Sequence, residues 1–160
     1  MKRLTRQIVS ASATLGLVVG FLAIFPATSS AGHVGQSISV DGMDVHLGIM
    51  AAEVLRKHPE QYPYHERGKI PSGKNMYHVL LALFDRSSDE RITDADVEAR
   101  ISPLGLSGPK RRLEPMSVAG AITYCNYFKL SPTDTYVVRV EIRRPGVSRV
   151  TTAVFVLRPD

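Results

Sequence analysis

The sequence predicts an all-β chain: an immunoglobulin-like antiparallel β-sandwich of about seven or eight strands, following an N-terminal signal segment. Three observations carry that expectation. Apolar residues repeat with period two in short stretches, turn residues separate those stretches, and no long run has the 3.6-residue period of a helix. The 160 residues suit one domain. A hydrophobic share of 44% without tryptophan argues against a multi-span membrane protein, a coiled coil or a disordered chain.

The first segment is read as a sorting signal rather than as part of the fold. Lys2, Arg3 and Arg6 precede an apolar stretch from Ile8 to Phe25, and Pro26 leads into Ala27-Thr28-Ser29-Ser30-Ala31. A basic start, an apolar centre and small residues before the cut mark a secretory signal, with cleavage expected after Ala31. Ser10, Ser12 and Thr14 dilute the apolar stretch and Pro26 breaks it, which favours a cleaved signal over a retained anchor. The expected domains are therefore 1–31, signal, and 32–160, one sandwich domain with no membrane span, periplasmic or secreted.

Removing that segment changes the charge argument. Three of the 20 basic residues lie in it, leaving 17 against 15 acids and a net charge of +2. Lys110-Arg111-Arg112 and Arg143-Arg144 are the remaining basic clusters, each beside Pro or Gly, and they read as solvated turns. Nucleic acid is not an expected partner. Cys125 is the single cysteine, so no intramolecular disulfide is available. Burial as a small apolar side chain is its expected fate, with an intermolecular thiol or a soft metal ligand as alternatives.

Along the chain, Gln36 to Asp41 alternates weakly as a first strand, and Asp41-Gly42 turns it. Met43, Val45, Leu47 and Ile49 share the core parity of the next strand, opposite Asp44, His46, Gly48 and Met50. Ala51 to Lys57 either continues that strand or makes a helical turn. His58 to Gly73, with three prolines and two glycines, is a long loop of the kind that carries function; it holds His65, Tyr62 and Tyr64. Asn75 to Asp85 is apolar on both parities, as a central strand would be. Asp85 to Glu90 turns, Ala95 to Ile101 alternates, and Pro103 to Pro109 is a loop. Met116 to Ala121 and Ile122 to Leu130 read as two short strands. Tyr136, Val138, Val140 and Ile142 face inward on another, and Val150, Thr152, Val154 and Val156 alternate along the last.

Leu83-Phe84-Asp85, Arg91-Ile92-Thr93-Asp94-Ala95-Asp96-Val97 and Thr135-Tyr136-Val137-Val138-Arg139-Val140 resemble the small exported bacterial β-sandwich domains called YtkA-like. Leu113-Glu114-Pro115-Met116 and Thr123-Tyr124-Cys125-Asn126-Tyr127-Phe128 are similar to a narrower exported group, which has Gly where Cys125 stands. The resemblance spans about residues 43–157. It implies the sandwich fold and, because several relatives lie near copper or iron handling systems, a link to metals.

The residues carry their own argument for chemistry. The segment after Ala31 holds His33, His46, His58, His65 and His78 together with Met43, Met50, Met76 and Met116. Thioethers favour Cu(I), while imidazole also takes Cu(II) and zinc. His46 and Met50 share one strand face, as do Met76 and His78. A mixed site built from His46, His65, His78 and Met116, with Met50 and Met76 as further soft ligands, becomes feasible if the two strands are neighbours. Taken singly, His46, Met50, Met76 and Met116 are better explained by packing. An N-terminal copper site through His33 requires a cut after Ser30 or Gly32. Asp85, Asp89, Glu90, Asp94 and Asp96 lack a Ca²⁺-loop pattern and read as turn chemistry.

No G-x-S-x-G, phosphate loop, C-x-x-C-H or H-E-x-x-H is present, so an enzyme is not expected. The expected function is an exported, non-catalytic metal binder, copper first with iron or zinc as alternatives, that delivers its cargo to a cell-envelope protein or metal acceptor. The alternative is a metal-free interaction module that binds another cell-envelope protein.

Overall fold

The structure, a computed structural model, describes residues 33–58, 70–118 and 120–159. The signal reading, and His65, Tyr62 and Tyr64 of the long loop, lie outside the described residues. The elements are β1 (His33–Val40), β2 (Met43–Ala51), α1 (Ala52–Lys57), β3 (Met76–Asp85), β4 (Asp96–Pro103), β5 (Lys110–Val118), β6 (Ala121–Lys129), β7 (Tyr136–Arg143) and β8 (Thr151–Leu157).

All pairings are antiparallel, in the order β1-β2-β3-β6-β5-β4-β7-β8. The strip folds into a sandwich because β5 changes partner halfway. Lys110 to Leu113 pair with β4, and Glu114 to Val118 pair with β6. Pro115 stands just past the change, where a residue with no N–H to donate is least disruptive. At the far edge Gln36 Nε2 of β1 donates to the Val156 carbonyl of β8 at 2.9 Å, which nearly closes the strip into a barrel. The all-β sandwich expected from the sequence is the observed architecture.

The core is made by alternation. Met43, Val45, Leu47 and Ile49 of β2 are buried with Val79, Leu81 and Leu83 of β3, against Val97, Ala99 and Ile101 of β4 and Val138, Val140 and Ile142 of β7. Asp41 and Gly42 both take positive φ, 47° and 74°, the geometry that a two-residue hairpin needs to match strand twist. The two readings left open for Ala51 to Lys57 resolve into a short helix.

Two expectations are corrected. In β8 the side chains turned inward are Thr151, Ala153, Phe155 and Leu157, while Val154 and Val156 are 41% and 54% exposed. Both parities are apolar, so alternation alone cannot choose between them. The register with β7 does, by setting Leu157, Phe155 and Ala153 opposite the core residues Tyr136, Val138 and Val140.

The basic clusters are also not simple solvated turns. Lys110, Arg111 and Arg112 open β5, and Arg143 ends β7. Glu98 and Glu141 stand directly opposite each other on β4 and β7, a repulsive arrangement if left alone. Lys110 Nζ reaches both at 2.8 Å, and Arg143 approaches them at 2.7 and 3.3 Å. Hydrogen bonds from Lys110 hold both carboxyls below the usual carboxylate range, and those carboxyls raise Lys110 in turn. Arg144 pairs with Asp85 at 3.3 Å.

Candidate functional site

The outer face of the β2-β3-β6 layer gathers part of the His/Met set. β2 and β3 are neighbours, and their register sets Met50 directly opposite His78. Opposite residues on one face have Cβ atoms about 5 Å apart. On the other side His78 faces Tyr127 of β6, with ring centroids 4.7 Å apart and planes tilted by 31°. Beyond Met50, the β1 register position is His33. Met76, half-buried, lies two residues before His78 on the same face, about 7 Å along the strand.

This face is not open sheet. His78 is 1% exposed and Met50 9%, although neither belongs to the main core. Next to them in the fold, α1 packs on β2 and β3 and buries Ala52 and Leu55. Arg56 donates to the Pro71 carbonyl and so ties α1 to the chain entering β3. Burial raises the Tyr127 phenol, and the neighbouring Arg56 charge partly offsets that. The result is a shielded pole of one imidazole and two thioethers beside a phenol.

The remaining candidates are elsewhere. His46 is exposed, opposite Ala82, and packs edge-on against Phe84 at 5.4 Å. It stands four positions before Met50 along β2, about 13 Å away. Met116 of β5 pairs with Thr123 of β6, and its Sδ lies 3.9 Å from Cys125 Sγ. The structure thus unites Met50, His78 and Met76, and sets His46 and Met116 apart from them; His65 is not among the described residues. Nothing local around Leu55 and Arg56 says which strand face a short helix covers, and Tyr127 meets His78 only through the register of β3 with β6.

Cys125 is half-buried, opposite Glu114. Burial, with a smaller contribution from the Glu114 charge, pushes its thiol up to about 11. The thiolate is the reactive form, so alkylation of Cys125 by iodoacetamide at pH 8 is expected to run about a hundredfold slower than that of free cysteine. A rate equal to the free amino acid would refute that environment.

The acidic run after β3 behaves as turn chemistry. The Asp85 carboxylate accepts from the Ser87 N–H at 3.0 Å and from the Ser87 hydroxyl at 2.6 Å, which lowers its pKa. Among the described residues no three His, Cys, Asp or Glu side chains gather into a metal cage, so a metal centre built from them has to draw on the thioethers. Among the same residues no helix is long and apolar enough to cross a membrane.

No protein-family model and no curated protein matches the sequence, so the YtkA-like resemblance rests on the quoted residues alone. Solved structures do match in fold. A DUF4426 family protein from Pseudomonas aeruginosa is 20% identical, with a TM-score of 0.58 over 79% of this chain and 96% of its own. A copper-bound variant of FetP from uropathogenic Escherichia coli is 12% identical, with a TM-score of 0.59 over 79% and 97%. FetP as isolated after expression in the E. coli periplasm is 13% identical, with a TM-score of 0.56 over the same shares. At these identities the likeness is one of fold: the chain shares the all-β architecture of FetP and of a DUF4426 protein.

Proposed function

We propose that the protein is an exported, non-catalytic metal carrier whose cargo is copper, taken up as Cu(I) by Met50, His78 and Met76 and passed to an acceptor in the cell envelope. The observation that carries this reading is the register that sets Met50 directly opposite His78, both of them buried. One imidazole with two thioethers is a soft donor set, which suits Cu(I) and serves zinc or Fe(II) poorly. The fold shared with a copper-bound FetP variant, the YtkA-like resemblance and the signal-like N-terminus support it.

The test uses residues 32–160, which contain all eight strands and the buried core. Protein is incubated anaerobically with Cu(I), and separately with Zn(II) or Fe(II), then desalted and assayed for metal. One retained equivalent of copper is expected, with little zinc or iron. Met50→Leu/Met76→Leu, chosen to preserve packing, should cut copper retention at least about tenfold with an unchanged melting temperature. Absence of retained copper in the unmodified protein would overturn the reading.

The second reading is a metal-free module that binds another envelope protein. The exposed Val154 and Val156, which share the outer face of β8, favour it, since neighbouring exposed apolar side chains mark interaction surfaces.

A further inference from the structure

One end of the sandwich differs in character from the other. The strand ends at this pole are fixed by register: β4 finishes at Pro103 opposite Tyr136 of β7, which pairs with Leu157 of β8, and β3 begins at Met76 opposite Lys129 of β6. The loop that follows β4 is held there by the Leu104 N–H donating to the Thr135 carbonyl at 2.8 Å. That loop presents Leu104 and Leu106, 65% and 69% exposed, the most exposed large apolar side chains among the described residues. Pro103 and Leu106 close the turn between them, and Gly105 takes φ +80°. The two leucines therefore stand on a fixed turn.

Among the described residues the charge at this pole is lopsided. α1, the turn before β3, the end of β6 and the chain beyond β8 supply exposed Arg56, Lys57, Lys74, Lys129 and Arg158 against Glu53 and Asp134. Glu53 is paired with Lys57 at 2.7 Å. The opposite pole carries Asp41, Asp85, Asp89, Glu90 and Asp94 against Arg86, Arg91, Arg144 and Arg149. It also exposes Val147 and Val150, but without a basic surplus.

We propose that the Leu104–Leu106 pole is a docking surface for an anionic lipid bilayer. Exposed leucines and a surplus of lysine and arginine at one pole are the two elements of peripheral membrane binding: apolar side chains enter the headgroup boundary while basic ones meet the lipid phosphates. The chain also enters the described fold at this pole, at His33 opposite Met50. Docked this way, the protein turns the pole with Met50, Met76 and α1 toward the bilayer and its acidic end away.

Metal-free residues 32–160 are the material for the test, so that its outcome is independent of copper binding. Flotation with phosphatidylethanolamine–phosphatidylglycerol vesicles should carry the protein upward, and pure phosphatidylcholine vesicles should not. Binding should weaken with rising salt, since exposed charges are screened. Lys74→Glu/Lys129→Glu should lower partitioning by more than about tenfold, because each basic group near an anionic surface contributes about fivefold. Leu104→Ser/Leu106→Ser should lower it by about tenfold, while Val147→Ser/Val150→Ser at the other pole should leave it unchanged. Circular dichroism and melting curves keep folding separate from binding. Failure to float with anionic vesicles, equal flotation with neutral ones, or an equal loss in the Val147/Val150 variant would each overturn the proposal.

Discussion

Tyr124→Ala is expected to destabilise the protein by at least about 3–5 kcal/mol, the usual loss for deleting a buried aromatic side chain. That is a large share of the ~5–15 kcal/mol that separates a typical domain from its unfolded state. Tyr124 heads the largest fully buried side chains, 1% exposed, on β6 between Leu81 of β3 and Pro115 of β5. Its ring fills the core at the point where β5 changes layers. Its hydroxyl accepts from the Ala95 N–H at 2.9 Å and donates to the Ile92 carbonyl at 3.3 Å, pinning the approach to β4. Tyr124→Phe keeps the ring and orphans those two backbone groups, so its expected loss is about 1–3 kcal/mol. Urea unfolding of the two variants separates the contributions. A Phe variant as unstable as the Ala variant would assign the role to the hydroxyl rather than to the packing.

Gly108→Ala should destabilise by about 3 kcal/mol or more, at the upper end for inserting an atom into a packed site. A Cβ at Gly108 would stand 2.0 Å from the Ile101 carbonyl oxygen and 2.9 Å from its carbon. Both are backbone atoms of β4, so relief requires moving the strand or lifting the loop that leads into β5. Arg100 Nη1 also donates to the Gly108 carbonyl at 2.9 Å, a bond that lifting the loop would break. Gly105, three residues earlier, is the contrast. It has φ +80° and nothing within 4 Å of an added Cβ, so Gly105→Ala carries only the left-handed backbone penalty of about 1–2 kcal/mol. Equal losses in the two variants would contradict the close approach at Gly108.

The legible part of this fold was the part written in local order. Met43, Val45, Leu47 and Ile49 alternate with Asp44, His46 and Gly48, and there the sequence left one choice of inner face. β8 offered two, Thr151-Ala153-Phe155-Leu157 or Thr152-Val154-Val156, and β-branched residues drew the reading to the wrong one. Lys110 reads locally as part of a solvated turn because its partners, Glu98 and Glu141, lie elsewhere in the sequence and meet it only through strand pairing. Arg112 likewise reaches Asp96 of β4 at 3.3 Å.

The site divides along the same line. That the His and Met residues lie on strand faces, and that Met76 and His78 share one, followed from a period of two. Which residues meet across strands did not, because a shift of one residue sends a side chain to the other face and a shift of two moves its partner by about 7 Å. The register set Met50 rather than His46 against His78. Both side chains are buried outside the main core, which the alternation along β2 and β3 did not announce.

The sequence by itself determined the strand-rich class, the Asp41-Gly42 hairpin turn and the soft character of the His and Met side chains, all of which depend on residue type and spacing over a few positions. Only the tertiary structure decided the phase of β8, the partner change within β5, the pairing of Met50 with His78 and the clustering of basic charge with exposed leucine at one pole. These depend on which distant segments lie side by side, and that is fixed by the summed packing of the whole core rather than by any local pattern.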